Sequence, residues 1–214
     1  MIKIFSIDDD DDFLDAIDRA LQKSLQQNQF DVVGRWGNVE DDDDVLELLE
    51  TLQMAKPDII LMDIDFSLKN RPHDFGVELT RRIMEMERDF TPKVIVLSSP
   101  FDADNEEIAK LKRAFGAGAV GYLSKRHIKT WGECIVEVHT SNFALNEAAH
   151  LISDREKEVI FYLSRDFLGN EVHTQMKDIS NSGVQFHINN LRSKFEVRTL
   201  HGIVSTAFRI RLLH

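Results

Sequence analysis

Cysteine is nearly absent from this 214-residue chain, with Cys134 the only one. It has no partner for an internal disulfide and no neighbour with which to build a cysteine zinc site, so a packed thiol is expected. Long apolar runs are missing too. No stretch approaches the ~20 residues that a helix needs to cross a bilayer, and Met1–Ile7, ahead of the first acidic run, is too short and too polar for a secretory signal. A soluble, cytoplasmic protein with no membrane partner is expected. Positive charge is in deficit, with 26 Lys and Arg against 37 Asp and Glu and a formal net charge of −11. That balance argues at first sight against nucleic acid, whose phosphates need clustered cations.

The deficit is uneven. Residues 151–214 hold nine Lys or Arg against seven Asp or Glu, leaving seventeen against thirty in residues 1–150. The acid belongs to the first part. With 43% hydrophobic residues the chain can bury a substantial core, and its length suits two small domains. No long Pro, Gly or Ser linker parts them; only Ser141–His150 (SNFALNEAAH) offers a connector, and so short a joint predicts domains that touch.

Ile2–Ile7 is a short apolar run that stops at Asp8, and Phe13, Leu14, Ile17 and Leu21 then follow at helical spacing. The alternation repeats: strands at Phe30–Gly34, Asp58–Met62, Val94–Leu97 and Val120–Leu123, helices at Asp43–Met54, Gly76–Glu87, Asn105–Phe115 and Thr130–His139. Nearly continuous apolar strands alternating with amphipathic helices predict a doubly wound α/β domain with five parallel strands. Beyond about Asn142 the strand signal ends. Ser153 stands three residues ahead of Glu156 in capping-box spacing, and the rest reads as four short helices.

Ligands gather at the carboxyl ends of the strands of such a sheet. Asp8 and Asp9 follow the first strand and Asp63 the third, so three carboxylates should converge. Their mutual repulsion calls for a cation, and all-oxygen ligation suits Mg²⁺. Ser98 ends the fourth strand and Lys125 follows the fifth, a hydroxyl and an ammonium suited to a phosphoryl group. A carboxylate can be the nucleophile that forms an acyl phosphate, and Asp63, ending the central strand DIILMD, is the candidate. The run Asp41–Asp44 precedes a helix and is read as charge stabilisation of its N-terminus. Asp10, Asp11 and Asp12 are read as a helix start and an acidic rim.

In the order SIDD (Asp8, Asp9), LMDI (Asp63), VIVLS (Ser98) and GAVGYLSK (Lys125), residues 2 to about 140 resemble the receiver domains of two-component response regulators, which have a flavodoxin-like fold. The resemblance implies that Asp9 and Asp63 ligate Mg²⁺ with the backbone carbonyl of Asp65, that Asp8 helps through water, and that Tyr122 is the aromatic switch residue. Two departures stand out: IDFSLKNRPHDFG after Asp63 is a few residues longer than usual before Gly76, and the Ser98–Lys125 interval is also long.

Residues 151–214 resemble the LuxR-type helix-turn-helix of the NarL class through LISDREKEVIFYL, Ile179-Ser180 and VQFHINNLRSKFEV. A helix from about Asn181 puts Val184, Ile188, Leu191 and Phe195 on one face to pack. Gln185 and Asn189 are then candidate base readers, Arg192 and Lys194 candidate phosphate anchors, and His187 a further candidate contact. Gly183-Val184-Gln185 stands where the family commonly has Thr-Val-Lys, Glu171–Ser180 is one residue longer, and His173 replaces a usual alanine. In a final helix over Leu200–Leu213, Ile203, Ala207 and Ile210 form either a pairing surface or core.

The expected division is a receiver over 1–140, a linker over 141–150 and a DNA-binding domain over 151–214. The expected function is a non-enzymatic switch, in which a sensor histidine kinase phosphorylates Asp63 and a homodimer binds DNA to regulate transcription. An alternative is a receiver-based interaction protein whose helix-turn-helix binds no DNA. A haloacid-dehalogenase-type phosphatase would use Asp63 with Asp65 two residues on, but leaves Asp8, Asp9 and the C-terminal helices unexplained.

Overall fold

Five strands form where the apolar runs are shortest and densest: β1 (Ile2–Ile7), β2 (Phe30–Trp36), β3 (Ile59–Asp63), β4 (Lys93–Ser98) and β5 (Gly121–Ser124). The computed structural model describes residues 1–23, 29–37, 39, 41–65, 74–98, 105–140, 152–210 and 212. The strands pair in parallel in the order β2-β1-β3-β4-β5, so the chain reverses its winding between β1 and β3. Along β3 and β4 alternate residues serve opposite faces. Ile60, Met62, Val94 and Val96 join one core cluster, and Ile59, Leu61, Ile95 and Leu97 the other. Both faces are covered, which is why these strands are apolar throughout.

Helices α1 (Asp11–Lys23), α2 (Asp42–Ala55), α3 (Phe75–Glu85), α4 (Asn105–Gly116) and α5 (Trp131–Thr140) supply that cover, with a 3-10 turn over Lys125–Thr130 before α5. The acidic run ahead of α2 does more than add charge. Asp41 is the N-cap, accepting from the backbone N–H of Asp43 and Asp44, while Asp44 reaches back to Asp41 N–H.

Among the described residues four helices follow: α6 (Asp154–Leu163), α7 (Val172–Gln175), α8 (Asn181–Phe195) and α9 (Leu200–Arg209). The capping box of Ser153 and Glu156 forms as its spacing predicts. Val184, Ile188, Leu191 and Phe195 are all buried, as the α8 pattern requires. The connector at 141–150, the insertion at 66–73 and residues 99–104 lie outside the described residues.

Helix α9 is buried on two sides. His201, Ser205 and Phe208 share one helical face, which meets the α/β unit. Tyr122 N–H donates to Ser205 Oγ at 3.0 Å, Ser124 N–H to His201 Nε2 at 3.3 Å, and the Phe208 ring stacks on Phe115 with centroids 5.4 Å apart. Ile203 and Ala207 turn the other way and are fully buried. Of the two readings of those residues, core is the one realised here. A pairing surface on Ile203 and Ala207 is ruled out in this arrangement, because α6, α8 and the α/β unit already enclose the helix.

Candidate functional site

The winding reversal leaves a cleft beyond the carboxyl ends of β1 and β3, and the acidic residues line it. Asp8 and Asp63 are buried while Asp9 is half-buried, and one carboxylate oxygen from each lies within 4.8 Å of the others. The opening has a volume of about 530 Å³, walled by Asp8 through Asp12, Asp63, Asp65 and Lys125. Asp10 N–H donates to Asp8 Oδ1, and Asp11 and Asp12 begin α1, so these residues form the rim and helix start expected of them.

Lys125, one residue beyond β5, reaches across the cleft. Its Nζ is 2.7 Å from Asp8 Oδ2 and 3.0 Å from Asp63 Oδ1, and lies 4.6 Å from the centre of the Phe13 ring. Ser98 is fully buried at the end of β4; its neighbour Leu97 pairs with Asp63, and it pairs with Ser124 itself. Asp63, Ser98 and Lys125 thus end three adjacent strands. Asp65 follows Asp63 on the same rim, with its side chain on Lys110 Nζ at 2.5 Å.

Burial raises the Asp63 carboxyl to a pKa of about 7; Lys125 opposes the rise and the Asp8 charge adds to it. Asp8 is raised as well, again chiefly by burial. For Lys125, burial works against the charge, but Asp63 and Asp8 outweigh it and lift the ammonium above its ordinary value. Three carboxylates with one lysine hold more negative charge than they neutralise. Hard oxygen donors converging at this spacing fit a divalent cation such as Mg²⁺.

Sequence reasoning missed the part played by Gly76. A Cβ there would lie 1.9 Å from the Asp63 carbonyl oxygen, so only glycine lets the start of α3 approach the end of β3. It also gave Tyr122 no contact with the last helix. Tyr122 is 3% exposed, with its ring 5.8 Å from that of His201. No local sequence signal announces an α9 contact made about 80 residues away.

The residues expected to meet DNA divide. Asn189 is exposed on α8, Gln185 and His187 are half-buried beside it, and Arg192 Nη1 approaches Asn189 Oδ1 at 3.4 Å. Lys194 differs from its expected role: its Nζ sits 2.8 and 2.7 Å from the two carboxylate oxygens of Glu156, which is 2% exposed. It neutralises a buried charge inside the helical unit. Phe186, by contrast, is 61% exposed on α8 between Gln185 and Asn189. Its signal was an apolar residue off the packing face, which a search for polar readers passes over.

The fold and this cleft are those of a receiver, and the chain belongs to the response regulator receiver domain family, whose model matches residues 4–130. The chain is 27% identical over 230 residues to the transcriptional regulatory protein DegU of Brevibacillus brevis, covering 92% of this chain and 88% of that protein. Similar solved structures include the Salmonella typhimurium RcsB response regulator, 16% identical over 95% of this chain and 98% of that one with a TM-score of 0.49. Full-length FixJ from B. japonicum is 19% identical over 99% and 98% of the two chains, with a TM-score of 0.42. Among the described residues no helix is long and apolar enough to cross a membrane.

Proposed function

We propose that this chain is a two-component response regulator of the NarL and LuxR type: a sensor histidine kinase phosphorylates Asp63, and the helical unit binds DNA to control transcription. The observation that carries the reading is the cluster of Asp8, Asp9 and Asp63 with Lys125 Nζ bridging Asp8 and Asp63 at the strand ends. The working division is a receiver over 1–140, a linker over 141–150 and a DNA-binding part over 151–214.

In the transfer, the P–N bond to the kinase histidine breaks and a P–O bond forms to the Asp63 carboxylate, giving an acyl phosphate. Asp9, Asp63 and the backbone carbonyl of Asp65, with Asp8 through water, are the proposed ligands of Mg²⁺, which when bound supplies the positive charge that offsets clustered carboxylate and phosphoryl oxygens. Lys125 exchanges its carboxylate partners for a phosphoryl oxygen, and the Ser98 hydroxyl donates to another. Lys125 directly follows Ser124, whose N–H holds His201, and Tyr122 N–H holds Ser205. Movement at Lys125 therefore pulls on the backbone that α9 grips. Freed from that grip, the helical unit pairs with a second copy and meets DNA.

The relative DegU is named a transcriptional regulator, and the exposed face of α8 suits the DNA half of the proposal. Asn189, Gln185, His187 and Arg192 are its contacts, and Phe186 can pack on a thymine methyl. Lys194 is left out because Glu156 holds it.

The test is treatment with Mg²⁺ and acetyl phosphate, or beryllofluoride, beside Asp63→Asn, read by intact mass, light scattering and a DNA titration at several salt concentrations. A phosphoryl adduct that vanishes in the variant, with salt-dependent DNA binding that rises on activation, is the expected result. An adduct without DNA binding would shift the output to a protein partner, and no adduct would remove the phosphoryl switch.

A further inference from the structure

Opposite the packing face of α8 runs a second row of residues: Ser182, Phe186, Asn189 and Ser193 are all exposed. Their intervals of four, three and four residues keep them on one side of the helix. The Phe186 ring is 61% exposed and meets the His187 ring edge to face, with centroids 5.6 Å apart. Arg192 Nη1 lies 3.4 Å from Asn189 Oδ1. An amide oxygen has two acceptor positions, so Oδ1 can accept once more while Nδ2 donates.

In the major groove a guanine is read by Arg or Lys on O6 and N7, and the amino group of a cytosine by Asp or Glu. An adenine is read by Asn or Gln on N6 and N7, and a thymine by apolar contact with its C5-methyl. The chain carries 37 Asp and Glu but none on α8, which spares DNA phosphates a repulsion and leaves cytosine without a reader. The two cations of α8, Arg192 and Lys194, stand in its last turn, beyond the half that meets base edges, and Glu156 holds Lys194. The row itself offers one apolar ring and one amide, with two hydroxyls that suit any base. Asn189 comes three residues after Phe186, about 4.5 Å along the helix axis, against about 3.4 Å between successive bases of a strand.

We infer that α8 reads a step of neighbouring A·T pairs, with the Phe186 ring on a thymine C5-methyl and the Asn189 amide on N6 and N7 of an adenine in the next pair. The inference deepens the DNA half of the proposed function and rests on it. Phe186 and Asn189 are the specificity-determining residues, and Gln185, half-buried beside them, has the same preference for adenine. A G·C pair offers Phe186 no methyl and sets the O6 acceptor of guanine against Asn189 Oδ1, another acceptor.

The test takes the full chain with Mg²⁺ and beryllofluoride, selects duplexes from a randomised pool, and titrates the selected duplex carrying single-group changes. Uracil for thymine removes only the methyl, and 7-deazaadenine for adenine removes only the N7 acceptor. Selected duplexes should share adjacent A·T pairs. Uracil should weaken wild-type binding about three- to fivefold, the worth of one apolar carbon, and 7-deazaadenine at least about fivefold. Phe186→Ala should bind the thymine and uracil duplexes alike, and Asn189→Ala should no longer distinguish adenine from 7-deazaadenine; both side chains are exposed, so neither change opens the core. Selection of G·C pairs, binding without base preference, or wild-type indifference to either analogue would overturn the inference while leaving DNA binding in place. Failure to bind any duplex of the pool would instead remove the DNA half of the proposed function, and the inference with it.

Discussion

Asp63 shows how much the burial of one carboxyl costs the fold. It is 2% exposed, and burial holds its pKa at about 7 in the folded chain, well above the ordinary 3.8. Between about pH 4 and 7 the folded state therefore keeps a proton that the unfolded state has lost, so this group's contribution to stability falls as pH rises through that window. Above it, folding must bury the charge. Asp63→Asn removes that cost, and at about 1.4 kcal/mol per pKa unit urea melts without Mg²⁺ should show the variant gaining roughly 2.5 kcal/mol on the wild type between pH 5 and pH 8. Saturating Mg²⁺ should narrow the gap by stabilising the wild type alone. A stability difference independent of both pH and Mg²⁺ would contradict this account of Asp63.

Lys194 is the opposite case, a charge whose partner could not be read from spacing. Its place on α8 suggested a phosphate anchor, yet the partner, Glu156, lies 38 residues earlier in a capping box. Burial works against the Glu156 charge, but Lys194 with the hydroxyl and N–H of Ser153 holds its pKa below the ordinary value. Breaking such a pair leaves the remaining charge buried and uncompensated. Lys194→Met should cost about 3 kcal/mol in denaturant melts, whereas a solvent-facing anchor would cost almost nothing.

Among the elements, strands with both faces buried were legible even when short, whereas the briefest helical pieces were not. β3 and β4 announce themselves as apolar runs, and Ser153 with Glu156 marks the N-cap and first turn of α6. The four-residue α7 is among the four short C-terminal helices expected from the sequence but is too short for periodicity to fix its ends, and the 3-10 turn at Lys125–Thr130 has too little to declare. α9 was legible as a helix but not in its surroundings, because residues on two faces are buried for different reasons. Its N-terminus rests on Glu137 of α5, whose carboxylate accepts from Arg198 N–H and Thr199 Oγ1. Glu137→Ala removes both bonds without touching the helical unit's own core. With charged hydrogen bonds worth about 1.5–3 kcal/mol, the unphosphorylated variant should bind DNA about tenfold tighter and scatter X-rays as a more extended particle; unchanged scattering would show that α9 does not need Glu137.

Acid should act on the same contact. Burial, with His127 adding to it, lowers the His201 pKa to about 4, so the folded chain keeps this ring neutral. The unfolded state takes up a proton near pH 6.5 that the folded state refuses, so stability from this group is lost as pH falls from about 6.5 toward 4. Ser124 N–H donates to His201 Nε2, and a protonated ring cannot accept that bond. Scattering between pH 7 and 5 should therefore show the units parting before the sheet melts, and His201→Phe should flatten that dependence.

Across the whole molecule, one apolar core runs from α2 and α3 through Tyr122 into α6, α8 and α9 without a break. The short connector at 141–150 predicts contact between the parts. What it could not reveal is which surfaces meet, since docking is decided by complementary faces and not by any local pattern. The convergence of Asp8, Asp9, Asp63 and Lys125, by contrast, was legible, because a parallel sheet fixes where each strand end must lie once the strand order is known.

If the proposed switch operates, the two-sided burial of α9 governs how the molecule answers its signal. When the helix lets go, Tyr122, Phe115, Val204 and Phe208 lose their cover together, and water is a poor replacement for it. Falling back is a first-order event that needs nothing else, whereas capture by a second copy depends on how many copies are near. The same dose of phosphate should then be silent in a cell that makes little of this chain and decisive in one that makes more, so abundance becomes a second input to the switch.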